Sequence, residues 1–340
     1  MTKTPIDIKR DSGGFVNIGT LEDGAVRKMV EIDGLLYIIK ERAIYAVQHA
    51  DQIDPERTNI ALPNIIPRPN LSEGSDSELV GKTLLTAVTM FNIRKFLPNE
   101  FDHAKALSLS FDVLKTMIAM RAGATEFKTA QQKAYARAMS ASSGGSPHMP
   151  AMGDATTPCR AFMQQAYHAQ GSLLAIVELF YKGITKQQKK EKNGPWDKLG
   201  EQMKDSYGEN DPFTNFLAKA VPFLKGVLNI RDCLVHRDVN RVNVKHFAPQ
   251  PDGQISAPTI TVDFRGTRLP ATPIAEFMDG VFNCMMTTFE KIIVHLCSKH
   301  YEPPAPFPIY IDMPAENRKF WKHVRFYYGS CWNGEFIPMG

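Results

Sequence analysis

The chain has 340 residues, of which 43% are hydrophobic and 22% charged, and a formal net charge of +4. This is the composition of a folded protein with room for two domains, which excludes a disordered, fibrous or membrane-embedded chain, and the mild positive charge permits nucleic acid as a partner without requiring it. Five cysteines, at 159, 233, 284, 297 and 331, form no close pair and no metal-ligand spacing with histidine, so they read as reduced thiols of a cytoplasmic protein that needs neither metal nor cofactor. No basic-then-apolar leader and no apolar run of spanning length is present, so no membrane is expected.

In chain order, Val26–Ile32 and Leu35–Lys40 are β-prone runs around Asp33-Gly34, a strong signal for a two-residue hairpin turn. Ala43, Ile44, Val47 and Ala50 share one helical face, so residues 41–52 are expected to form a short helix ending before Asp54-Pro55. Residues 62–77, with prolines at 63, 67 and 69, read as an extended connector. Residues 78–94 and 100–138 show helical periodicity, with Gly123 a candidate break in the second. Residues 140–158 are rich in Ser, Gly, Ala and Pro and are expected to be a flexible linker. The expected organisation is an N-terminal α-rich domain with a β-hairpin over 1–139, the linker, a helical bundle over 159–300 and a proline and aromatic tail over 301–340. The fold class is mainly α, with a smaller α+β N-terminal domain.

Within the second half, residues 159–181 resume a helical pattern. The tract 182–198 then carries six lysines against two acids, and Lys186, Lys189 and Lys190 are candidates for holding RNA phosphates. Phe216, Leu217, Ala220, Leu224, Val227, Leu228 and Leu234 recur at the spacing of a helix with one buried face. That helix leads into Arg231-Asp232-Cys233-Leu234-Val235-His236-Arg237. On a continuous helix Asp232 and His236, four apart, would lie side by side, and the carboxylate would orient the imidazole. Arg231 precedes His236 by five positions, about 140° around and about 7.5 Å along the axis. Thr259, Ile260, Thr261 and Val262 form a short β-branched run, and Pro273 opens a helix over 274–297. Four prolines within 303–308 predict an extended strap ahead of the aromatic tail.

An arginine followed by a polar residue, then four residues before histidine on a helix of an α-rich domain, resembles the HEPN superfamily. The resemblance spans about residues 159–300. It implies a HEPN-like helical bundle, in many members a metal-independent endoribonuclease, with Arg231 and His236 as the active-site pair and Asp232 as their polar neighbour. It also implies a homodimer through this helix and, in toxin or phage-defence effectors, an inhibitory partner. As an enzyme the protein would cleave RNA with the substrate's own 2′-hydroxyl as nucleophile. His236 would be acid or base, Arg231 would hold the phosphoryl oxygens, and Arg237 would add a phosphate contact.

Other readings use the same letters. Arg318 and His323 repeat the bare spacing without a preceding amphipathic helix, and are expected to be coincidental. His236-Arg237-Asp238, Asn243 and Asp263-Phe264-Arg265-Gly266, with Gly13, Gly14, Gly19 and Lys40 upstream, imitate a kinase-like phosphotransferase. The spacing argues against it, and Arg265 stands inside the third motif. The alternative from another class is a non-catalytic bundle that binds a partner protein or a nucleotide.

Overall fold

A computed structural model describes residues 3–12, 18–91, 96–141, 148–186, 194–236, 241–302, 309–318, 321–333 and 335–339. The fold is mainly α, with small antiparallel sheets. Its contacts group the chain differently from the boundary expected at 140–158: one unit is 1–108 together with 297–340, the other 109–296. The C-terminal tail therefore joins the first unit. Two long helices are shared in sequence between the units, which no linker-based boundary anticipates.

In the first unit a short helix α1 (Pro5–Asp11) precedes a four-stranded antiparallel sheet, β1 (Val26–Ile32), β2 (Leu35–Lys40), β3 (Ile44–His49) and β4 (Ile65–Leu71), paired in that order. The expected hairpin is present, with Asp33 and Gly34 both at positive φ, 51° and 73°, the backbone of a two-residue turn that matches strand twist. Residues 41–52 are not the expected helix. Ile44–His49 is a strand between two others, and only α2 (Ala50–Ile53) is helical. Six residues are too few to separate the two periods, and pairing with β2 and β4 decides the outcome, burying Ile44, Tyr45 and Val47. The expected connector over 62–77 supplies β4 as the edge strand. Pro67 and Pro69 are tolerated there because an edge strand need not donate outward.

Residues 78–91 are helical throughout, α3 (Glu78–Val80) and α4 (Thr86–Phe91) flanking a π turn at Gly81–Leu85. The tail forms a three-stranded sheet instead of a plain strap: β10 (Tyr310–Asp312), β11 (Phe326–Trp332) and β12 (Glu335–Pro338). Its fully buried Tyr328 donates to Met90 O at 3.4 Å, and its ring lies 4.7 Å from that of Phe96. The expected strap at 303–308 lies outside the described residues.

The second unit is a helical bundle. α5 (His103–Ala141) runs 39 residues without a break at Gly123. α6 (Thr156–Phe180), α7 (Pro195–Tyr207), α8 (Pro212–Val235) and α9 (Ile274–His300) follow. α6 and α8 are antiparallel: Gln164 near the start of α6 bonds Arg231 at the end of α8, while Tyr181, just past α6, feels the charge of Asp211, the N-cap of α8. Lys225 of α8 pairs with Asp197 of α7 at 3.1 Å, and the Phe213 ring stacks on His295 of α9 at 5.0 Å. Lys128 of α5 meets Asp279 of α9 at 2.6 Å. Between α8 and α9 lie strands that the sequence only hints at: β5 (Val242–Lys245), β8 (Thr259–Phe264) and β9 (Thr267–Pro273) in one sheet, β6 (Ala248–Pro249) and β7 (Ile255–Ser256) in another.

Two glycines in the first unit test what holds the sheet. Gly34 has positive φ but open space around a would-be Cβ, whereas a Cβ at Gly74 would stand 2.0 Å from the backbone oxygen of Lys40. Gly34→Ala is expected to cost about 1 kcal/mol from backbone conformation alone, and Gly74→Ala about 2–3 kcal/mol because backbone must move. Thermal melts of the two variants give the order, and the reverse order would contradict the close approach.

Candidate functional site

The polar end of α8 carries Arg231 and Asp232, with His236 as its C-cap. The helix forms because Asp211 caps its first turn, accepting from the N–H groups of Phe213 and Thr214, and because Phe213, Leu217, Leu224, Val227, Ile230 and Leu234 are buried along one stripe. It ends at Val235. His236 is the C-cap in an extended conformation, φ −95° and ψ 92°, its N–H donating to Asp232 O. His236 thus lies just past the helix with its side chain exposed, and no side-chain hydrogen bond or ion pair joins it to Asp232 among the described residues.

The Asp232 carboxylate is instead taken by arginines. Arg231 Nη1 donates to Asp232 Oδ1 at 3.0 Å, and Arg265 Nη1 lies 3.7 Å from Asp232 Oδ2. Arg231 also donates from Nε to Gln164 Oε1 at 3.0 Å, and its guanidinium carbon sits 4.5 Å from the centroid of the Tyr167 ring, a cation–π contact. These contacts leave the Arg231 side chain 22% exposed. Gln164 in turn contacts His168 Nε2 through its amide nitrogen at 2.8 Å. One turn of α6 thus presents Gln164, Tyr167 and His168 to the end of α8.

Arg265 arrives by a different route. It occupies the two-residue turn between β8 and β9 with φ 48°, followed by Gly266 at φ 81°. An arginine in the left-handed region is uncommon and costs about 1–3 kcal/mol. The hairpin is fastened to α8 by Asn229, a buried side chain whose Nδ2 donates to Thr267 Oγ1 at 2.9 Å. Arg265 and Arg241 both place their guanidinium groups over the Phe264 ring, at 4.7 and 5.0 Å. Two arginines therefore share the Asp232 carboxylate and a third shares the Phe264 ring with one of them, a set suited to an anion with several oxygens. Beside them Cys233 is buried, and burial together with the Asp232 carboxylate pushes its thiol up, so it reads as packing and not as a nucleophile.

Of the expected phosphate-holding residues, Lys189, Lys190 and Arg237 lie outside the described residues. Lys186 is exposed on the turn after α6, where its backbone oxygen accepts from Lys198 Nζ. From Tyr167 to Phe180 is about 20 Å along the helix, so Lys186 belongs to the opposite end of α6 and not to the arginine cluster. Arg318 and His323 sit on turns of the other unit. Arg318 Nε donates to Met313 O at 2.9 Å, and His323 packs over Gly81.

The kinase-like letters are dispersed. Lys40 Nζ is consumed by the backbone oxygens of Ile18 and Thr20, each at 2.8 Å, Asp263 is exposed on β8 with Arg268 3.8 Å away, and Gly13, Gly14 and Asp238 lie outside the described residues. All five cysteines are free thiols. Among the described residues no group of three or more His, Cys, Asp and Glu side chains is placed to hold a metal ion, and no helix is long and apolar enough to cross a membrane.

Sequence reasoning missed Gln164, Tyr167, His168, Arg241 and Arg265. The one signal available for any of them was the misfit of Arg265 within the kinase-like motif. Compared with protein-family models, with curated proteins and with solved structures, the chain matches none.

The contacts rank the two residues of the motif by what they contribute to folding. Arg231→Ala removes two hydrogen bonds and a cation–π contact and is expected to cost about 1–2 kcal/mol. His236→Ala removes an exposed side chain and should stay within about 0.5 kcal/mol of the parent. Chemical-denaturation curves for the two variants check this, and a larger loss for His236→Ala would mean that the histidine is structural.

Proposed function

We propose that the end of α8 binds and cleaves RNA without a metal, in the manner of the HEPN-type ribonucleases that the Arg231 to His236 phrase resembles. The observation that supports this reading is the pair Arg231 and Arg265 on the single carboxylate of Asp232, with Arg241 on the same Phe264 ring as Arg265, beside an exposed histidine. A phosphodiester carries its negative charge on two non-bridging oxygens, and that charge grows as the 2′-oxygen attacks phosphorus. Arginine N–H groups held in place before the substrate arrives stabilise such a state without reorganising. Asp232 acts here by fixing two guanidinium groups, not by orienting His236. His236, the exposed imidazole at the helix end, exchanges protons with the reacting oxygens. In its two-chain form the proposal pairs two copies through the end of α8. The exposed positions earlier on that helix are Pro212, Asn215, Ala218, Lys219, Pro222 and Lys225, none of them a large hydrophobic side chain, so the pairing would centre on Val235 and His236.

Purified protein incubated with mixed RNA in EDTA is expected to give fragments ending in 2′,3′-cyclic phosphate. His236→Ala is expected to slow this by about 10²–10⁴-fold, while Arg318→Ala and His323→Ala leave it unchanged. Cleavage that appears only with magnesium, or ATP turnover that depends on Asp238 and Asp263, would overturn the reading in favour of the kinase-like one. Binding of RNA without cleavage would favour the non-catalytic bundle.

A further inference from the structure

Cleavage by the 2′-hydroxyl needs two proton exchanges: one group accepts the proton of the nucleophile, and another delivers a proton to the departing 5′-oxygen. The Arg231 to His236 phrase offers one imidazole for these two tasks. The structure places another beside the same arginine. The guanidinium of Arg231 can only donate, so the Gln164 atom that faces its Nε must be the amide oxygen. The Gln164 Nε2 group, a donor, then faces His168 Nε2 at 2.8 Å, which must accept, and the ring proton of His168 sits on Nδ1. The link Arg231, Gln164, His168 thus has one polarity throughout. It presents an exposed imidazole, in its proton-accepting form, two hydrogen bonds from the arginine assigned to the phosphate.

We infer that His168 is the second acid–base group of this site and serves as its base. The inference rests on the ribonuclease reading above. In the step, the 2′-hydroxyl proton passes to His168 Nε2, which exchanges its bond from Gln164 for one from the substrate. The 2′-oxygen forms a bond to phosphorus, and the bond from phosphorus to the 5′-oxygen breaks. That oxygen leaves with a proton from the His236 imidazolium. The products are a 2′,3′-cyclic phosphate and a 5′-hydroxyl, with His168 left protonated and His236 neutral, so atoms and charge balance. Gln164 is a positioning residue in this scheme, because it touches the base and the arginine and not the reacting atoms. Both acid–base groups then come from one chain, and pairing of two copies is no longer required to complete the site.

A dinucleotide substrate in which sulfur replaces the bridging 5′-oxygen separates the two roles, because a thiolate leaves without a proton while the 2′-hydroxyl still needs a base. In the 340-residue chain, His168→Ala is expected to slow cleavage of the ordinary and the sulfur-containing substrate alike, by about 10²-fold or more. His236→Ala should be equally slow on the ordinary substrate and return to within about tenfold of the parent on the sulfur one. His168→Gln retains an acceptor for the Gln164 amide but has no titratable nitrogen, so it is expected to be as slow as His168→Ala while melting with the parent. The inference is overturned if either His168 variant cleaves ordinary RNA at the parental rate, if His168→Gln alone is active, or if sulfur rescues His168→Ala. If the parent protein fails to cleave RNA in EDTA, the underlying reading falls and this one with it, whereas a cleaving parent with an indifferent His168 removes only the present inference.

Discussion

An arginine side chain has donors and no acceptor, and this one-sidedness organises the end of α8. Wherever Arg231 is held, its neighbours must turn oxygens or a π face towards it. Gln164 supplies an amide oxygen, Asp232 a carboxylate oxygen and Tyr167 its ring. Once those three are placed, further geometry follows. The other end of the Gln164 amide must be a donor, the other oxygen of Asp232 is left for Arg265, and the start of α6 is held against the end of α8. The antiparallel packing of those helices and the polarity of the cluster are thus the same constraint met at two scales.

The β8–β9 hairpin shows how a local cost is retained for a distant partner. Asparagine, aspartate or glycine would suit the first turn position better than Arg265, yet the arginine is anchored there by Phe264 beneath it and by Asp232 on the helix. The Asn229 to Thr267 bond makes this arrangement stable in register, because it fastens the strand that follows the turn to the helix that carries Asp232. A sequence that breaks a local preference while every surrounding contact supports it is commonly found at functional positions.

Much of this was legible in the chain and some was not, for identifiable reasons. Asp33-Gly34 between two β-prone runs fixes its turn locally, and the long helices declare themselves through apolar periodicity over many residues. Ile44–His49 misleads because its apolar residues satisfy either period, and only the strands on both sides choose. Helix α8 was legible up to its last turn, but the departure of His236 from it was not, since nothing between Asp232 and Val235 breaks a helix by composition. The bond between Gln164 and Arg231 joins residues 67 apart, and no spacing rule within one sequence connects them. Motif reasoning therefore singled out Arg231 and His236 without reaching the arginine that shares Asp232, Arg265 of the β8–β9 turn.

The immobility of Arg231 has a consequence for the affinity of whatever binds there. A free arginine side chain carries roughly 2 kcal/mol of rotamer entropy, and a surface arginine that grips an anion loses much of it on binding. Here two hydrogen bonds and a ring face have already confined the side chain in the folded protein, so that ordering is completed when the chain folds. A ligand arriving at the end of α8 meets a guanidinium whose orientation is set in advance. Its selectivity should then follow the angles at which the ligand's oxygens are displayed more closely than its total charge.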